Sequence, residues 1–177
     1  MKLIVLDRDG VINYDSVGYI KSPAEWRPIP GSLNAIARLN QAGFHVAVAT
    51  NQSGIGRGLF DMAALNAIHG KMHQALAQAG GRVDAIFFCP HTADDNCSCR
   101  KPRTGMYEDI ARRLNTSLAG VPMVGDSIRD MKAAAAVSAS PMLVLTGNGK
   151  KTRRAGKLPP DTLVFADLAA AVDAIAN

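Results

Sequence analysis

Two carboxylates follow directly on a short apolar run near the start of the chain. Residues 3–6 are Leu-Ile-Val-Leu, and Asp7, Asp9 and Gly10 come next. The run predicts a buried strand of a parallel sheet, with Asp7 at the carboxyl end where α/β sheets bind ligands. Side chains two residues apart share one side of an extended chain, and a hard cation such as Mg²⁺ would offset their repulsion. Taken alone, the pattern is also that of a solvated turn after a strand.

Further polar residues follow other predicted strands. Thr50 and Asn51 come after the apolar residues 46–49, Asp126 and Ser127 come after 121–124, and Lys101 follows an irregular segment. Right-handed crossovers bring the strand ends to one edge of the sheet. Each residue has an ordinary alternative as a strand end, a turn, a helix cap or a solvated charge. Together they predict one site with a nucleophile, a hydroxyl, a cation and a second metal carboxylate.

A second cluster consists of cysteine and histidine residues, the types that bind metal ions such as zinc. All three cysteines lie between Cys89 and Cys99, with Cys97 between them, and His91 stands beside the first. Buried apolar cysteines and reactive surface thiols are the alternatives, but neither explains three cysteines and a histidine in so short an irregular segment. The spacing predicts a Zn²⁺ ion with four protein ligands, which makes it structural.

The elements that position these residues alternate between strand and helix. Strands are predicted at 3–6, 45–50, 85–88, 121–124, 142–145 and 163–165, and helices at 32–42, 61–79, 106–114, 128–137 and 168–175. This alternation predicts an α/β fold with a doubly wound parallel sheet, and residues 1–177 form a single domain. Ser32, Asp61 and Thr104 are predicted helix N-caps, and residues 147–160 are predicted to form a mobile basic loop. The connections at 10–31 and 51–100 leave no room for a large cap domain, so the site should be open.

Composition limits the kinds of partner. The 177 residues are 47% hydrophobic and 20% charged, with a net charge of +5 and only 5% aromatic residues. The chain is therefore predicted to be globular, and it lacks the stacking surface of single-strand nucleic-acid binders. The first apolar run is too short for a signal peptide, and no stretch could span a bilayer. We expect a cytoplasmic monomer that acts on a small anionic molecule, not on nucleic acid or a membrane.

Four motifs resemble those of the haloacid-dehalogenase (HAD) phosphatases. They are Asp7-Arg8-Asp9-Gly10, Thr50-Asn51-Gln52-Ser53, Arg100-Lys101-Pro102 and Gly125-Asp126-Ser127-x-x-Asp130. The cysteine cluster narrows the resemblance to a branch that acts on sugar bisphosphates and on histidinol phosphate. The resemblance extends from Leu3 to about Gly147, and it implies a HAD-like, Rossmannoid sheet with a zinc-binding loop.

The resemblance also implies a role for each site residue. Asp7 would be the nucleophile, Asp9 the general acid and base, and Thr50 and Lys101 would stabilise the phosphoryl group. Mg²⁺ would be held by Asp7, Asp126 and the backbone carbonyl of Asp9. Substrate contacts are expected from Asp15, Tyr19, Asn51, Gln52, Ser53, Arg57 and Arg100, with the two guanidinium groups suited to a second phosphate.

The expected activity is magnesium-dependent hydrolysis of a small sugar bisphosphate through an aspartyl-phosphate. Histidinol phosphate is the alternative substrate, and a 3′-phosphorylated polynucleotide is a further one because the chain is basic. A zinc-dependent phosphate-binding module without catalysis belongs to another class. The complete set of Asp7, Asp9, Lys101 and Asp126 argues against that module, since binding alone does not require it.

Overall fold

The computed structural model describes residues 1–176, and across them six strands form one parallel sheet. The strands are β1 (Lys2–Leu6), β2 (Phe44–Asn51), β3 (Ala85–Cys89), β4 (Pro122–Gly125), β5 (Ser140–Val144) and β6 (Leu163–Phe165). Their spatial order is β3-β2-β1-β4-β5-β6, and every neighbouring pair is parallel. The chain builds outward from β1 in one direction and then from β4 in the other. The predicted doubly wound sheet is confirmed, and the β1–β4 junction is its switch point.

Helices cover both faces of the sheet. They are α1 (Ser32–Gln41), α2 (Ser53–Gly56), α3 (Met62–Gln78), α4 (Gly105–Arg113), α5 (Ile128–Ala136), α6 (Gly149–Arg154) and α7 (Leu168–Ile175), with short 3-10 helices at Pro23–Glu25 and Ala93–Asp95. Alternate residues of β1 enter different cores: Ile4 and Leu6 pack with α1, α3 and α7, whereas Leu3 and Val5 pack with α4 and α5. The strand is apolar throughout because both of its faces are buried.

The helix caps differ in part from the predicted ones. The Asp61 carboxylate accepts from the Ala64 amide at 2.9 Å, as expected of an N-cap. Ser32 is not the cap of α1: Gly31 holds that position at a φ of 88°, and the Ser32 hydroxyl donates to the Val11 carbonyl instead. Thr104 holds the N-cap position of α4 as predicted, but its side chain makes no cap hydrogen bond.

Two segments predicted as loops contain helices. The glycine-rich stretch after β2 includes α2, and the predicted basic loop at 147–160 includes α6. The prediction failed for α6 because its sequence, GKKTRR, has no apolar stripe. Along the described chain, none of the helices is long and apolar enough to cross a membrane.

The connection between β1 and α1 is packed but contains no cap domain. Trp26 is buried in the core of the protein, and the Lys71 ammonium of α3 donates to its carbonyl oxygen at 2.8 Å. The 3-10 helix at Pro23–Glu25 is the one helical turn described between residues 7 and 31. The connection therefore borders the carboxyl edge of the sheet without covering it, as predicted.

Candidate active site

Three carboxylates meet where β1 and β4 end. Asp7 follows β1 directly, and its amide donates to the Val124 carbonyl at 2.9 Å, which ties it to β4. Asp126 follows β4, and Asp130 lies in the first turn of α5. One carboxylate oxygen of each lies within 4.8 Å of the others. Such a set of oxygens fits a hard divalent cation and is unfavourable without one.

Lys101 is the cation of this cluster and is almost fully buried. Its ammonium lies 3.2 Å from the Asp7 carboxylate and 2.6 Å from that of Asp130, and it donates to the Ala49 carbonyl at 2.7 Å. Burial alone would lower the pKa of Lys101, but Asp130 and Asp7 raise it above its ordinary value. Burial raises the pKa of Asp7, against the opposing effect of Lys101. Lys101 therefore keeps its charge beside the predicted nucleophile.

Asp126 is held by the loop between β5 and α6, which was not predicted to take part in the site. Its Oδ2 accepts from the Asn148 amide at 2.8 Å, and its backbone carbonyl accepts from the Thr152 hydroxyl at 2.8 Å. A Cβ at Gly147 would lie only 2.2 Å from that same Oδ2. Burial, and then the neighbouring Asp130 charge, raise the pKa of Asp126 to about 7. The β5–α6 loop thus fixes the second carboxylate of the cluster.

The Asp9 carboxylate is oriented by three neighbouring side chains. Its Oδ1 accepts from Arg8 Nε at 2.8 Å and from Asn13 Nδ2 at 3.0 Å, and Arg8 Nη2 lies 2.8 Å from the same atom. Its Oδ2 accepts from Gln52 Nε2 at 3.2 Å. Gln52 is buried, and its amide also donates to the Thr50 hydroxyl at 2.9 Å. Gln52 therefore faces Asp9 and Thr50.

Asn51 connects β2 with the segment that carries Lys101. Its amide donates to the Lys101 carbonyl and its oxygen accepts from the Lys101 amide, both at 3.1 Å. The pair of hydrogen bonds holds the Lys101 backbone at the sheet edge.

A cleft of about 270 Å³ opens above these groups. Of the residues predicted to bind substrate, those that line it are Asp15, Tyr19, Asn51, Ser53 and Arg100. Gln52 and Arg57 are not among its lining residues, and Arg57 is exposed at the end of α2. Arg129 and Asn148 also line it and were not predicted. A larger hollow of about 850 Å³ lies beside β3 and α4, away from the carboxylates.

The four predicted zinc ligands come together. The Cys89 sulfur lies 3.6 Å from the Cys97 sulfur, 2.7 Å from the Cys99 sulfur and 3.6 Å from His91 Nδ1. None of the three cysteines forms a disulfide. Three sulfurs and one imidazole nitrogen, all within 4.8 Å of one another, fit a tetrahedral Zn²⁺ ion. Arg100 and Lys101 follow the last of these ligands directly, so the cluster and the carboxylate site are joined by the backbone.

The sequence reading missed four residues that shape the site: Arg8, Asn13, Thr146 and Asn148. Thr146 donates to the Gly10 carbonyl at 2.6 Å and so joins two loops across the sheet edge. It directly follows the strand predicted at 142–145, so the strand-end rule that found Asp7 and Asp126 could have found it too. Arg8 and Asn13 carried no comparable signal, because neither ends a strand.

A parallel sheet with carboxylates after β1 and β4 and a buried lysine between them defines a HAD-like hydrolase. A family model described as HAD-hydrolase-like matches residues 98–171. The chain is 64% identical over 173 residues to a D-glycero-beta-D-manno-heptose-1,7-bisphosphate 7-phosphatase from Bordetella bronchiseptica, covering 98% of this chain and 97% of that one. A relative of the same name from Pseudomonas putida is 55% identical over 170 residues, covering 96% and 97%.

Solved structures agree with these relatives. The crystal structure of D,D-heptose 1,7-bisphosphate phosphatase from B. bronchiseptica, complexed with magnesium and phosphate, has a TM-score of 0.97 at 63% identity, covering 99% of this chain and 98% of that one. The Burkholderia thailandensis enzyme has a TM-score of 0.80 at 55% identity, covering 98% and 97%. The chain belongs to the D-glycero-beta-D-manno-heptose-1,7-bisphosphate 7-phosphatase family, and the resemblance noted in its motifs is confirmed.

Proposed function

We propose that this protein is a magnesium-dependent phosphatase that removes the 7-phosphate of D-glycero-D-manno-heptose 1,7-bisphosphate. The observation that carries the proposal is the convergence of Asp7, Asp9, Lys101 and Asp126 at one sheet edge, in a chain 64% identical to a relative named for this reaction. The reaction serves the synthesis of nucleotide-activated heptose for lipopolysaccharide. We place it in the cytoplasm and assign it to a monomer that binds neither nucleic acid nor membrane.

Asp7 is assigned as the nucleophile. One of its carboxylate oxygens forms the new bond to phosphorus while the bond from phosphorus to the sugar oxygen breaks, which leaves an aspartyl-phosphate. The Lys101 ammonium and the Thr50 hydroxyl stabilise the negative charge on the other phosphoryl oxygens. Lys101 suits this role because two carboxylates and a carbonyl already hold its ammonium in place.

The side chains of Asp7 and Asp126 and the backbone carbonyl of Asp9 are assigned as the residues that hold Mg²⁺. The ion, when bound, neutralises the phosphate dianion and so permits the approach of an anionic nucleophile. Asn148 and Thr152 keep Asp126 in place for this task through their hydrogen bonds to its side chain and its backbone.

Asp9 is assigned as the general acid and base. Its carboxyl group protonates the departing sugar oxygen, and the resulting carboxylate then takes a proton from the water that hydrolyses the aspartyl-phosphate. Because no cap domain covers the described cleft, that water reaches the site from solvent.

Substrate recognition is assigned to the side chains around the mouth of the cleft. Arg100 is the candidate for the second, non-reacting phosphate, because it lines the cleft and a guanidinium group binds phosphate through paired hydrogen bonds. Arg57 lies on the exposed end of α2, so Arg100 is the better supported of the two arginines. Asp15, Tyr19, Asn51 and Ser53 surround the remaining space, where the sugar hydroxyls would bind.

Zn²⁺ is assigned a structural role at Cys89, His91, Cys97 and Cys99. With four protein ligands it has no open position for substrate. Its effect is to order the irregular segment before Arg100 and Lys101, so that binding substrate does not have to order it each time.

The test is a panel of phosphate esters assayed for phosphate release. We expect the highest kcat/KM for heptose 1,7-bisphosphate, tested as both anomers. Histidinol phosphate and 3′-phosphorylated DNA should be at least about 100-fold poorer, because the first has no second phosphate and the second offers only backbone diesters in place of a second phosphate monoester. A preference for either of them would overturn the substrate assignment. Binding without turnover of any ester would favour a phosphate-binding module.

A further inference from the structure

Arg8 lies in an unusual place for an arginine, between the two motif aspartates and with its side chain fully buried. Burying a guanidinium group is strongly unfavourable unless its charge is paired and its N–H groups are hydrogen-bonded. Two groups contact the guanidinium group of Arg8: the Asp9 carboxylate, which accepts from Nε and pairs with Nη2, and the imidazole of His69, which lies against Nη1. An apolar side chain would fill the same space at a lower cost, so the charge calls for an explanation.

His69 acts as a hydrogen-bond acceptor for Arg8. It is a buried residue of α3, and its Nε2 lies 3.1 Å from Arg8 Nη1. Because arginine can only donate, Nε2 must be the unprotonated nitrogen of a neutral ring. Burial, and then the Arg8 charge, lower the pKa of His69 to about 4, which agrees with a neutral ring at neutral pH. His69 thus accepts a hydrogen bond from the far side of the guanidinium group and places no second positive charge beside it.

The two oxygens of Asp9 are left in different environments. Oδ1 is contacted by Arg8 Nε, Arg8 Nη2 and Asn13 Nδ2, all within 3.0 Å. Oδ2 has one protein donor among the described residues, Gln52 Nε2, at the longer distance of 3.2 Å. A proton on Oδ1 would face a cation and an amide donor, whereas a proton on Oδ2 would face a single, more distant amide donor and no cation. The transferred proton therefore belongs on Oδ2.

We propose that Arg8 and His69 are positioning residues for the general acid. His69 orients the guanidinium group of Arg8, and Arg8 keeps Oδ1 of Asp9 as a permanent acceptor so that Oδ2 carries the proton to the leaving group. The proposal rests on the phosphatase function proposed above. In the step concerned, the proton moves from Oδ2 to the sugar oxygen as the bond between that oxygen and phosphorus breaks.

This role has a kinetic signature that mere packing lacks. An alkoxide leaving from a sugar needs a proton in the transition state, whereas p-nitrophenolate leaves readily without one. Loss of the alignment should therefore slow formation of the aspartyl-phosphate from a sugar phosphate and leave its formation from p-nitrophenyl phosphate almost unchanged. A general loss of structure would slow both reactions alike.

The experiment compares kcat/KM for heptose 1,7-bisphosphate and for p-nitrophenyl phosphate in variants of His69. In His69→Leu, which cannot accept a hydrogen bond, we expect a loss of about 10- to 100-fold on the sugar substrate, a part of the effect of a general acid, and of less than about threefold on p-nitrophenyl phosphate. His69→Gln should recover most of the loss, because its amide oxygen can accept from Arg8. The matched control is His73→Leu, since His73 is exposed one turn further along α3.

Circular dichroism and thermal melting establish that each variant is folded. If His69→Leu does not fold, Arg8→Lys provides the same comparison, because a single ammonium cannot reproduce the contacts with both Asp9 and His69. Equal losses on both substrates in a folded variant would overturn the proposal, as would unchanged activity of His69→Leu. If the unmodified protein hydrolyses p-nitrophenyl phosphate but no sugar bisphosphate, the proposed substrate fails, and another alkyl phosphate then tests the role of Arg8 and His69.

Discussion

Gly147→Ala should impair the active site through one added methyl group. Gly147 follows Thr146 in the β5–α6 loop and has a φ of 54°. A Cβ at this position would lie 2.2 Å from Asp126 Oδ2 and 2.6 Å from the Cα of Gly10. The carboxylate proposed to hold Mg²⁺ and the turn after Asp9 would both have to move.

The size of the effect follows from the distances. Ordinary contact begins near 3.4 Å, so a carboxylate at 2.2 Å would have to shift by about 1.2 Å. A displacement of about 1 Å at a catalytic group costs on the order of 100-fold in rate. The left-handed backbone of an alanine adds about 1–2 kcal/mol of destabilisation, whatever surrounds it.

The assay measures phosphate release as a function of Mg²⁺ concentration, together with thermal unfolding. We expect Gly147→Ala to raise the half-saturating Mg²⁺ concentration and to lower kcat/KM by about 100-fold. Gly156→Ala is the matched control, because Gly156 has a φ of 68° and its Cβ would meet nothing within 4 Å. That variant should lose stability from the backbone conformation and keep its activity.

Two results would refute the reasoning. The first is a Gly147→Ala protein with unchanged magnesium dependence and turnover, which would mean that Asp126 tolerates the displacement or is not a ligand. The second is an equal loss of activity in Gly156→Ala, which would trace the effect to backbone strain alone.

Four further predictions concern single features of the site. Asp7→Asn should abolish phosphate release while circular dichroism shows a folded protein, because the amide is similar in size but is not a nucleophile; more than trace activity would contradict the mechanism. Metal analysis of the purified protein should find one zinc per chain. Cys99→Ser should weaken substrate binding markedly and lower the melting temperature only slightly. A zinc-free protein of full activity would exclude the structural role. Replacing the exposed basic residues at 150, 151, 153 and 154 with glutamine should leave kcat/KM within about threefold, and a large salt-dependent loss would show that α6 binds substrate. Without magnesium, the free energy of unfolding should fall as the pH rises from about 4 to about 7. The reason is that the folded protein keeps a proton on Asp126, whereas in the unfolded chain this carboxyl group has a pKa near 3.9 and releases the proton. Urea titrations that show no such fall would count against the raised pKa of Asp126.

The parts of the site that could be predicted are those governed by local rules. Asp7 and Asp126 each follow a strand directly, and Thr50 lies at the carboxyl end of β2. A doubly wound sheet brings such positions together whatever the details of packing. The zinc ligands lie within 11 consecutive residues, 89–99, so their proximity required little knowledge of the fold.

The parts that could not be predicted depend on contacts between distant segments. His69 meets Arg8 across 61 residues, and Thr146 meets Gly10 across 136 residues. Helix α6 has no periodic apolar pattern, and it is held by the hydrogen bond from Thr152 to the Asp126 carbonyl. Ser32 has a residue type favoured at N-caps, but its hydroxyl found a tertiary partner in Val11 instead. In each case tertiary structure decided against the local preference.

The hydrogen bond from Thr146 to Gly10 bears on the order in which the protein matures. Contacts between residues so far apart in the chain form late in folding, after local helices and neighbouring strands. Until that contact forms, the strands and helices can be in place while Asp126 still lacks the loop that holds its carboxylate. Recovery of activity should therefore lag behind recovery of helical signal after dilution from denaturant. Catalysis would then report on the final docking of the β5–α6 loop against the turn after Asp9, a contact to which bulk secondary structure is insensitive.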